Sequence, residues 1–568
     1  MKRALLLTTL LLSATGLLFL QTTPPAAKLA AFMPSGALLY LESPDFARLL
    51  HDWDASKVKA DWLESTNYEV FSRSNLFTKL GEVYEQYGDA VGFVPGLKRL
   101  IEVAGTDSAL ALYQIRDVEF LYISRVTDAG LMKSQLWAVR DQFEQRQAGG
   151  LSFYLRTDPG SKRTVAFAYA KNYLLFSTRD DLLAQSLELM AGGGNPAIAS
   201  DRWYREAVAA AAAPNSAELR LVMNLEPLVK SVYFRSYWVQ RNASALRRYW
   251  TGVADVKRTG ANITESRVFL RVPDPAQPQR AAANSTTTAD LVALVPPEAG
   301  MYKASDIVDS SEVAALIVHK LIGPQTEGSR DWRFAPMALS PDIRAGTESD
   351  LETRIDEQPL PSDAGIADSE AAIRALLDKA GARSALRLQA SSPAAGTFVQ
   401  TGSVIVLAGA AGWDGDSVRS ALTSAAGKLW TTSLLGAGWV PATSGRHAIE
   451  RLDGLGTLLF ADRGPLLFLS NDSRLLGAVL DRVGTRPAPG VLTYAAGFRH
   501  LRERPNYERV MSALDFAGSA RNERGGVPSF FTDIGSLSEV FSDLVEIRVT
   551  EEARGLATLQ KVFYQMAR

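Results

Sequence analysis

Thr164-Val165-Ala166-Phe167-Ala168-Tyr169-Ala170-Lys171-Asn172-Tyr173-Leu174-Leu175-Phe176-Ser177 runs straight into Thr178-Arg179-Asp180-Asp181. Two apolar runs on either side of a two-residue polar turn spell a β-hairpin, and Thr178 with an acid three residues on opens a helix as a capping box. Leu183, Leu187 and Met190 fall on one face of that helix, and Gly192-Gly193-Gly194 stops it. The same order returns near the other end of the chain. Residues 457–462, the turn Arg463-Gly464 and residues 465–470 form the second hairpin; Asn471 or Asp472 caps a helix whose buried face is Leu476, Val479 and Leu480, ended by Gly484.

Two earlier blocks repeat in the same order. Residues 34–43, with Pro34, Ala37, Tyr40 and Ser43, match 296–305, where Pro296, Ala299, Tyr302 and Ser305 keep the spacing. Residues 104–112 match 380–388 through Ala104/Ala380, Gly105/Gly381, Ser108/Ser384 and Leu110/Leu386. Three ordered matches at a slowly growing offset indicate a chain written twice with loop insertions. Upstream of each hairpin a strand-like run (120–126, 404–407) precedes a helix pattern, Met132, Leu136, Val139 and Phe143 in one copy and Val418, Leu422, Ala426 and Leu429 in the other. The fold class expected is α+β: two homologous lobes, each a mainly antiparallel sheet with helices packed on one face. The first lobe spans 28–272 and the second 289–568, with a Pro/Ala-rich linker at 273–288. Residues 345–370 hold eight acids against Arg354 and read as a solvated acidic loop within the second lobe.

Composition removes whole classes of chemistry. The 568 residues carry Lys+Arg 61 against Asp+Glu 62, so no overall field draws the protein to nucleic acid. Zero Cys excludes disulfides, zinc ribbons, iron–sulfur clusters and cysteine nucleophiles. Residues 1–27 are a signal anchor or a signal peptide: Lys2 and Arg3 precede residues 4–20, which hold nine Leu and no charge, and Pro24-Pro25 follow. Seventeen residues at about 1.5 Å each reach about 25 Å, the short end of a bilayer span. No good cleavage site follows, which favours an anchor in the cytoplasmic membrane with the bulk of the chain extracytoplasmic (periplasmic); secretion after cleavage is the alternative.

Residues 34–40, 104–112 and 164–190 resemble an uncharacterised bacterial family of exported, membrane-anchored proteins. The shared motifs are turns, strands and caps, so the resemblance implies a location and carries over no catalytic residue.

Compact catalytic signatures fail one by one. Gly535-Ser536-Leu537-Ser538-Glu539 lacks the closing Gly of a nucleophile elbow, and no phosphate-cradling Gly-rich loop opens a helix. Ser56-Lys57-Val58-Lys59 fits S-x-x-K in letters alone and reads as a solvated helix face. Asp52-Trp53-Asp54 begins like a calcium loop but has Lys57 where Gly is needed, and Trp413-Asp414-Gly415-Asp416-Ser417 reads as a turn and cap. His51, His319, His447 and His500 share no metal-ligand spacing. No catalytic, cofactor or metal residue is therefore assigned.

One stretch is unusual. Tyr233, Phe234, Arg235, Tyr237, Trp238, Arg241, Arg247, Arg248, Tyr249 and Trp250 interleave aromatic and basic side chains, and residues 231–258 hold six basic residues against Asp255. Core packing edged by Arg and an interaction surface for a membrane interface or protein partner compete for this pattern; the exported location speaks against nucleic acid. The function expected is non-enzymatic: a membrane-anchored extracytoplasmic protein, without cofactor, that binds or scaffolds another envelope protein or lipid. The alternatives are a carrier of an apolar ligand in an inter-lobe cleft and a cell-wall or glycan hydrolase using dispersed carboxylates.

Overall fold

The computed structural model describes residues 29–567 apart from 66–67, 70–71, 74, 212–216, 232–245, 273–287, 308, 324–363, 392–400, 411, 431–437, 455, 488–490 and 507–541. The N-terminal apolar segment, nearly all of the linker and most of the acidic stretch lie outside the described residues. Among the described residues no helix is long and apolar enough to cross a membrane.

The earlier part of the chain contributes β1 (Leu39–Asp45), β2 (Thr106–Gln114), β3 (Glu119–Arg125), β4 (Glu144–Ala148), β5 (Leu151–Thr157), β6 (Thr164–Ala170), β7 (Tyr173–Ser177), β8 (Leu219–Asn224), β9 (Tyr249–Thr259) and β10 (Asn262–Arg271). They pair antiparallel throughout, in the order β4-β5-β6-β7-β3-β2-β1-β8-β9-β10. The later part contributes β11 (Met301–Asp306), β12 (Ala382–Ser391), β13 (Thr401–Gly409), β14 (Gly438–Ser444), β15 (His447–Asp453), β16 (Thr457–Arg463), β17 (Leu466–Ser470), β18 (Tyr494–Phe498), β19 (Leu544–Arg554) and β20 (Ala557–Met566). Their order is β14-β15-β16-β17-β13-β12-β11-β18-β19-β20. Pairing of β10 with β20 joins all 20 into one sheet.

The join is symmetric in register. Counting outward along the ladders from Tyr40 and Tyr302 reaches Val268 in β10 and Phe563 in β20. Two residues back, Ser266 and Lys561 hold matching places, and they are each other's partners. The strands at the two ends of this order are blunted. Glu144, Gln145, Arg146 and Gln147 are exposed along β4, and Pro441 sits in β14, both of which discourage pairing with another chain.

Helices α1 (Phe46–Asp54), α2 (Lys57–Glu64), α3 (Asn75–Val91) and α4 (Leu97–Val103) fall between β1 and β2. The short α5 (Asp128–Met132) and α6 (Gln135–Ala138) follow β3, α7 (Asp180–Met190) follows β7, and α8 (Arg202–Ala210) and α9 (Leu225–Lys230) bracket β8. Later come α10 (Thr288–Ala293), α11 (Ser310–Ile317) with a π-helical turn at Val318–Ile322, α12 (Ala364–Ala380), α13 (Gly415–Leu429) and α14 (Ser473–Leu480). Helices cover both sheet faces, not one as expected. Ala166, Ala168 and Leu175 pack with Leu183 and Leu187 of α7, whereas the alternate residues Val165, Phe167 and Leu174 pack with Ala90 and Val91 of α3 and with Leu136. The signal was legible: β6 and β7 read as near-continuous apolar runs, and two-sided burial demands that.

Several local expectations are corrected. Residues 132–143 are two short helices and a 3-10 turn at Arg140–Gln142, because Ser134 restarts the helix by capping Trp137 N at 3.3 Å. Thr178 does not cap α7: its hydroxyl accepts from Phe120 N at 3.0 Å and donates to Val118 O at 3.1 Å, stitching the helix entry to β3. In α14 the capping does hold, with Asp472 accepting from Leu475 N at 2.9 Å. Residues 364–370 of the acidic stretch form the first turns of α12, where Ile366 and Ser369 are buried, and Thr288 opens α10.

The middle letter match is displaced by one. Ala111, not Leu112, occupies the ladder place that Leu388 holds, since Tyr40 faces Ala111 and Tyr302 faces Leu388. Leu110 and Leu386 consequently point to opposite faces, as any one-residue slip in a strand requires. The outer two matches keep register: Tyr40 and Tyr302 are both buried in central strands, and Leu121–Ser177 and Val404–Ser470 are corresponding pairs.

Candidate functional site

Of the four helices between β1 and β2, only α3 seats side chains in the core, through Ala90 and Val91. None of α1, α2 and α4 has a buried residue, although α1 begins with Phe46 and carries Leu49, Leu50 and Trp53. Ser56 and Asp45 cap the helices: Asp45 accepts from Arg48 N at 3.0 Å and Ser56 from Lys59 N at 3.2 Å. That is the structural role of the S-x-x-K pattern. Beneath the helices lies a cavity of about 560 Å³.

Its floor is one face of five neighbouring strands: Leu41 and Ser43 of β1, Ser108 and Leu110 of β2, Phe120 and Tyr122 of β3, Leu174 and Phe176 of β7, and Leu219 of β8. The ladder partners Leu41/Leu110/Tyr122/Phe176 form a continuous apolar row across it. Phe120 stacks on Phe176 with centroids 6.0 Å apart, and Phe46 tilts over Tyr122 at 6.1 Å. The roof is Phe46, then Tyr84, Tyr87 and Val91 of α3, Phe93 and Pro95 of the following turn, and Leu100 and Val103 of α4.

Polar groups on the walls are largely consumed by one another. Ser108 Oγ and Ser124 Oγ lie 2.7 Å apart, and Tyr87 OH donates to Asp117 O at 2.8 Å. Burial pushes the Tyr87 and Tyr122 hydroxyls above the ordinary phenol range, so both stay neutral. Arg99 pairs with Glu102, whose other oxygen accepts from Gln135 N at 2.9 Å. Trp53, Leu63, Tyr84, Val94 and Leu100 of the helical layer are exposed, Val94 at 74%.

The corresponding face of the later half is solid. Ile405, Leu407, Leu467 and Leu469, which hold the ladder places of Tyr122, Ser124, Leu174 and Phe176, pack against Ile373 and Leu377 of α12 and Val418 and Leu422 of α13. Trp413 and Trp430 seal the edges, each donating its indole N–H to a backbone carbonyl at 2.9 and 3.0 Å. The cavity's lining all falls between Leu41 and Leu219, in the earlier part of the chain.

A buried charge cluster lies on the opposite face of these strands. Arg220 donates to Asp255 at 2.6 and 2.9 Å and lies 3.6 Å from Glu42, across β1, β8 and β9. On the cavity side, Arg258 of β9 pairs with Glu218 and reaches Asp52 of α1 at 2.7 Å, tying the roof to the sheet.

Of the aromatic-basic stretch, Tyr233, Phe234, Arg235, Tyr237, Trp238 and Arg241 lie outside the described residues. Tyr249 belongs to the core, 5.1 Å from Phe269 and beneath Arg248 at 5.0 Å. Trp250 is half-buried, with the Arg202 guanidinium 4.7 Å above its ring, and Arg247 and Arg248 are exposed. Among the described residues no group of three or more His, Asp or Glu could hold a metal ion; His447 meets Asp481 at 3.0 Å, and His500 is buried with Nδ1 3.1 Å from Leu544 O.

No family model matches the chain, and no curated protein matches it. Among solved structures it is similar to crystal form I of TP0453 at 12% identity and a TM-score of 0.24, over 46% of this chain and 82% of that one. Crystal form IV gives 12% and 0.23 over 42% and 79%, and crystal form III gives 11% and 0.25 over 49% and 88%.

Proposed function

We propose that this is a non-enzymatic protein of the cell envelope, tethered by residues 4–20 to the extracytoplasmic side of the membrane, whose first lobe holds an apolar envelope ligand of the lipid class. The cavity between the helical roof and the row Leu41/Leu110/Tyr122/Phe176 carries the reading. A volume of about 560 Å³ lies within the range of small-molecule sites, and apolar walls with few unpaired polar groups select for hydrocarbon. The export signal and the resemblance to exported, membrane-anchored bacterial proteins supply the location.

The two lobes are copies of one ancestral unit, a reading supported by the repeated strand order and by the Ser266·Lys561 centre of the β10–β20 join. Self-pairing of one strand is what an isologous dimer of the unit would have used before fusion. Against the hydrolase reading stand the carboxylates that shift among the described residues: Glu144, Asp158, Asp181, Asp309, Asp414 and Asp481 are all held low by Arg, Ser or His partners, as ion pairs and caps require. A catalytic acid would be pushed the other way.

The test is native mass spectrometry of detergent-extracted full-length protein, followed by titration with a fluorescent long-chain fatty acid. Co-purifying lipid and saturable probe binding are expected. Protein that arrives empty and leaves the probe in water would end the proposal.

A further inference from the structure

A second cavity, of about 610 Å³, opens where α8, α9 and the start of β9 meet. Its lining differs in kind from the first: Arg202, Lys230 and Arg247 stand with Glu226 in the wall and Glu206 beside Arg202, and the remaining wall is Val229, Tyr249, Trp250 and Val272. The cations are held in place. Arg202 is clamped between Glu206, at 2.7 Å, and the face of Trp250, and Lys230 is held one helical turn from Glu226 at 3.1 Å. Guanidinium and ammonium groups fixed around a pocket lose little freedom when an anion enters, and a guanidinium fork matches phosphate oxygens two at a time.

We infer that this cavity is a phosphate-binding site, the phosphate being that of an anionic phospholipid headgroup or of a free phosphate ester. The apolar side of the wall would take the carbon next to the phosphate, and the three basic groups its charge. The proposal is independent of the apolar cavity, with which it shares no lining residue.

Full-length protein in neutral detergent is titrated calorimetrically with inorganic phosphate, with short-chain phosphatidylglycerol, and with diacylglycerol of the same chains. The comparison variant is Arg202→Gln with Lys230→Gln; both side chains are 71% exposed, so folding is retained, checked by an unchanged melting curve. Phosphatidylglycerol should bind wild type, lose roughly tenfold or more in the double variant, and weaken with salt. Inorganic phosphate binding with the same variant sensitivity would show that phosphate suffices and would assign a soluble source; binding of phosphatidylglycerol alone would assign the headgroup. With the apolar cavity closed by Leu110→Trp, equal binding of diacylglycerol, equal binding by the double variant, or no binding of either phosphate compound would overturn the site. Leu110→Trp, which closes the apolar cavity, should leave phosphatidylglycerol binding through this site unchanged, so the two readings fail separately.

Discussion

Enlarging Leu110 should empty the first lobe of its ligand without unfolding it. Leu110 sits mid-floor in β2, paired between Leu41 and Tyr122, and its side chain borders open space and not a neighbouring helix. An indole there would displace about three methylenes of a bound chain; at ~0.8 kcal/mol each that is about 2.4 kcal/mol, or about 60-fold in Kd. The matched control is Leu407→Trp, on the same face of the later half, where the side chain is fully buried between β13 and the α12–α13 layer. Overpacking a filled core costs about 1–3 kcal/mol, which lowers the melting temperature by about 2–12 °C for a unit of this size. Fatty-acid probe titration and thermal melting are run on both variants. If Leu110→Trp destabilises as much as Leu407→Trp, the space under the roof is not a cavity in solution; if it melts normally yet binds the probe like wild type, the ligand sits elsewhere.

Arg220→Met should cost about 3–5 kcal/mol, because it leaves Asp255 buried without its bidentate partner, and Arg220→Met with Asp255→Leu should recover much of that in urea unfolding. Gly497→Ala should destabilise the second lobe by about 1–3 kcal/mol, since an added Cβ would lie 2.1 Å from the Tyr302 ring that rests on this glycine; a silent substitution would contradict that packing. Asp181 is held below the ordinary carboxylate range by the Arg179 guanidinium, so its folded-state pKa lies under its unfolded value of ~3.9. The stabilisation is therefore present above about pH 4 and lost as pH falls through the lower folded value; an NMR titration of Arg179→Gln should move the Asp181 midpoint upward, and salt should shrink the effect because the pair is half exposed.

The hairpins were legible because Lys171-Asn172 and Arg463-Gly464 interrupt apolar runs at the only place a two-residue turn fits; Lys171, Asn172 and Gly464 take φ of 51°, 65° and 61°. The repeat was read from three short matches, and one of them is off the ladder register by a residue. Letters align Leu110 with Leu386, whereas ladder partners align Ala109 with Leu386, and only the ladder says which face a side chain takes. The cavity was invisible for a related reason. Tyr84, Tyr87 and Val91 carry ordinary helical spacing, and the same letters describe a helix seated on a sheet or one standing off it. The difference lies in what faces them: Ser108 on the floor with Ser124 buried beside it in one half, Leu407 at the place of Ser124 in the other, a contrast that no periodicity within α3 reports. The aromatic-basic stretch shows the converse, where an odd composition was plain but only the structure tells buried Tyr249 from half-buried Trp250 at the same cavity wall.

The cavity is partly open to solvent, and how firmly the helical roof is attached sets how freely a ligand beneath it exchanges. The layer α1–α2–α4 buries no side chain fully, so beyond the apolar contacts of Phe46 and Val103 its hold on the sheet depends on polar ties, of which Arg258 to Asp52 and Glu218 joins α1 to β9 and to the residue before β8. All three groups are about one-third exposed, which limits the tie to about 1 kcal/mol, and its loss would raise the open population about fivefold. Arg258→Gln should therefore speed exchange of a bound fatty-acid probe and raise amide hydrogen exchange across Phe46–Asp54, while α12, packed into a filled core, keeps its protection. Faster exchange in both helices would mean general loosening of the sheet, and unchanged exchange in both would place the entrance away from α1.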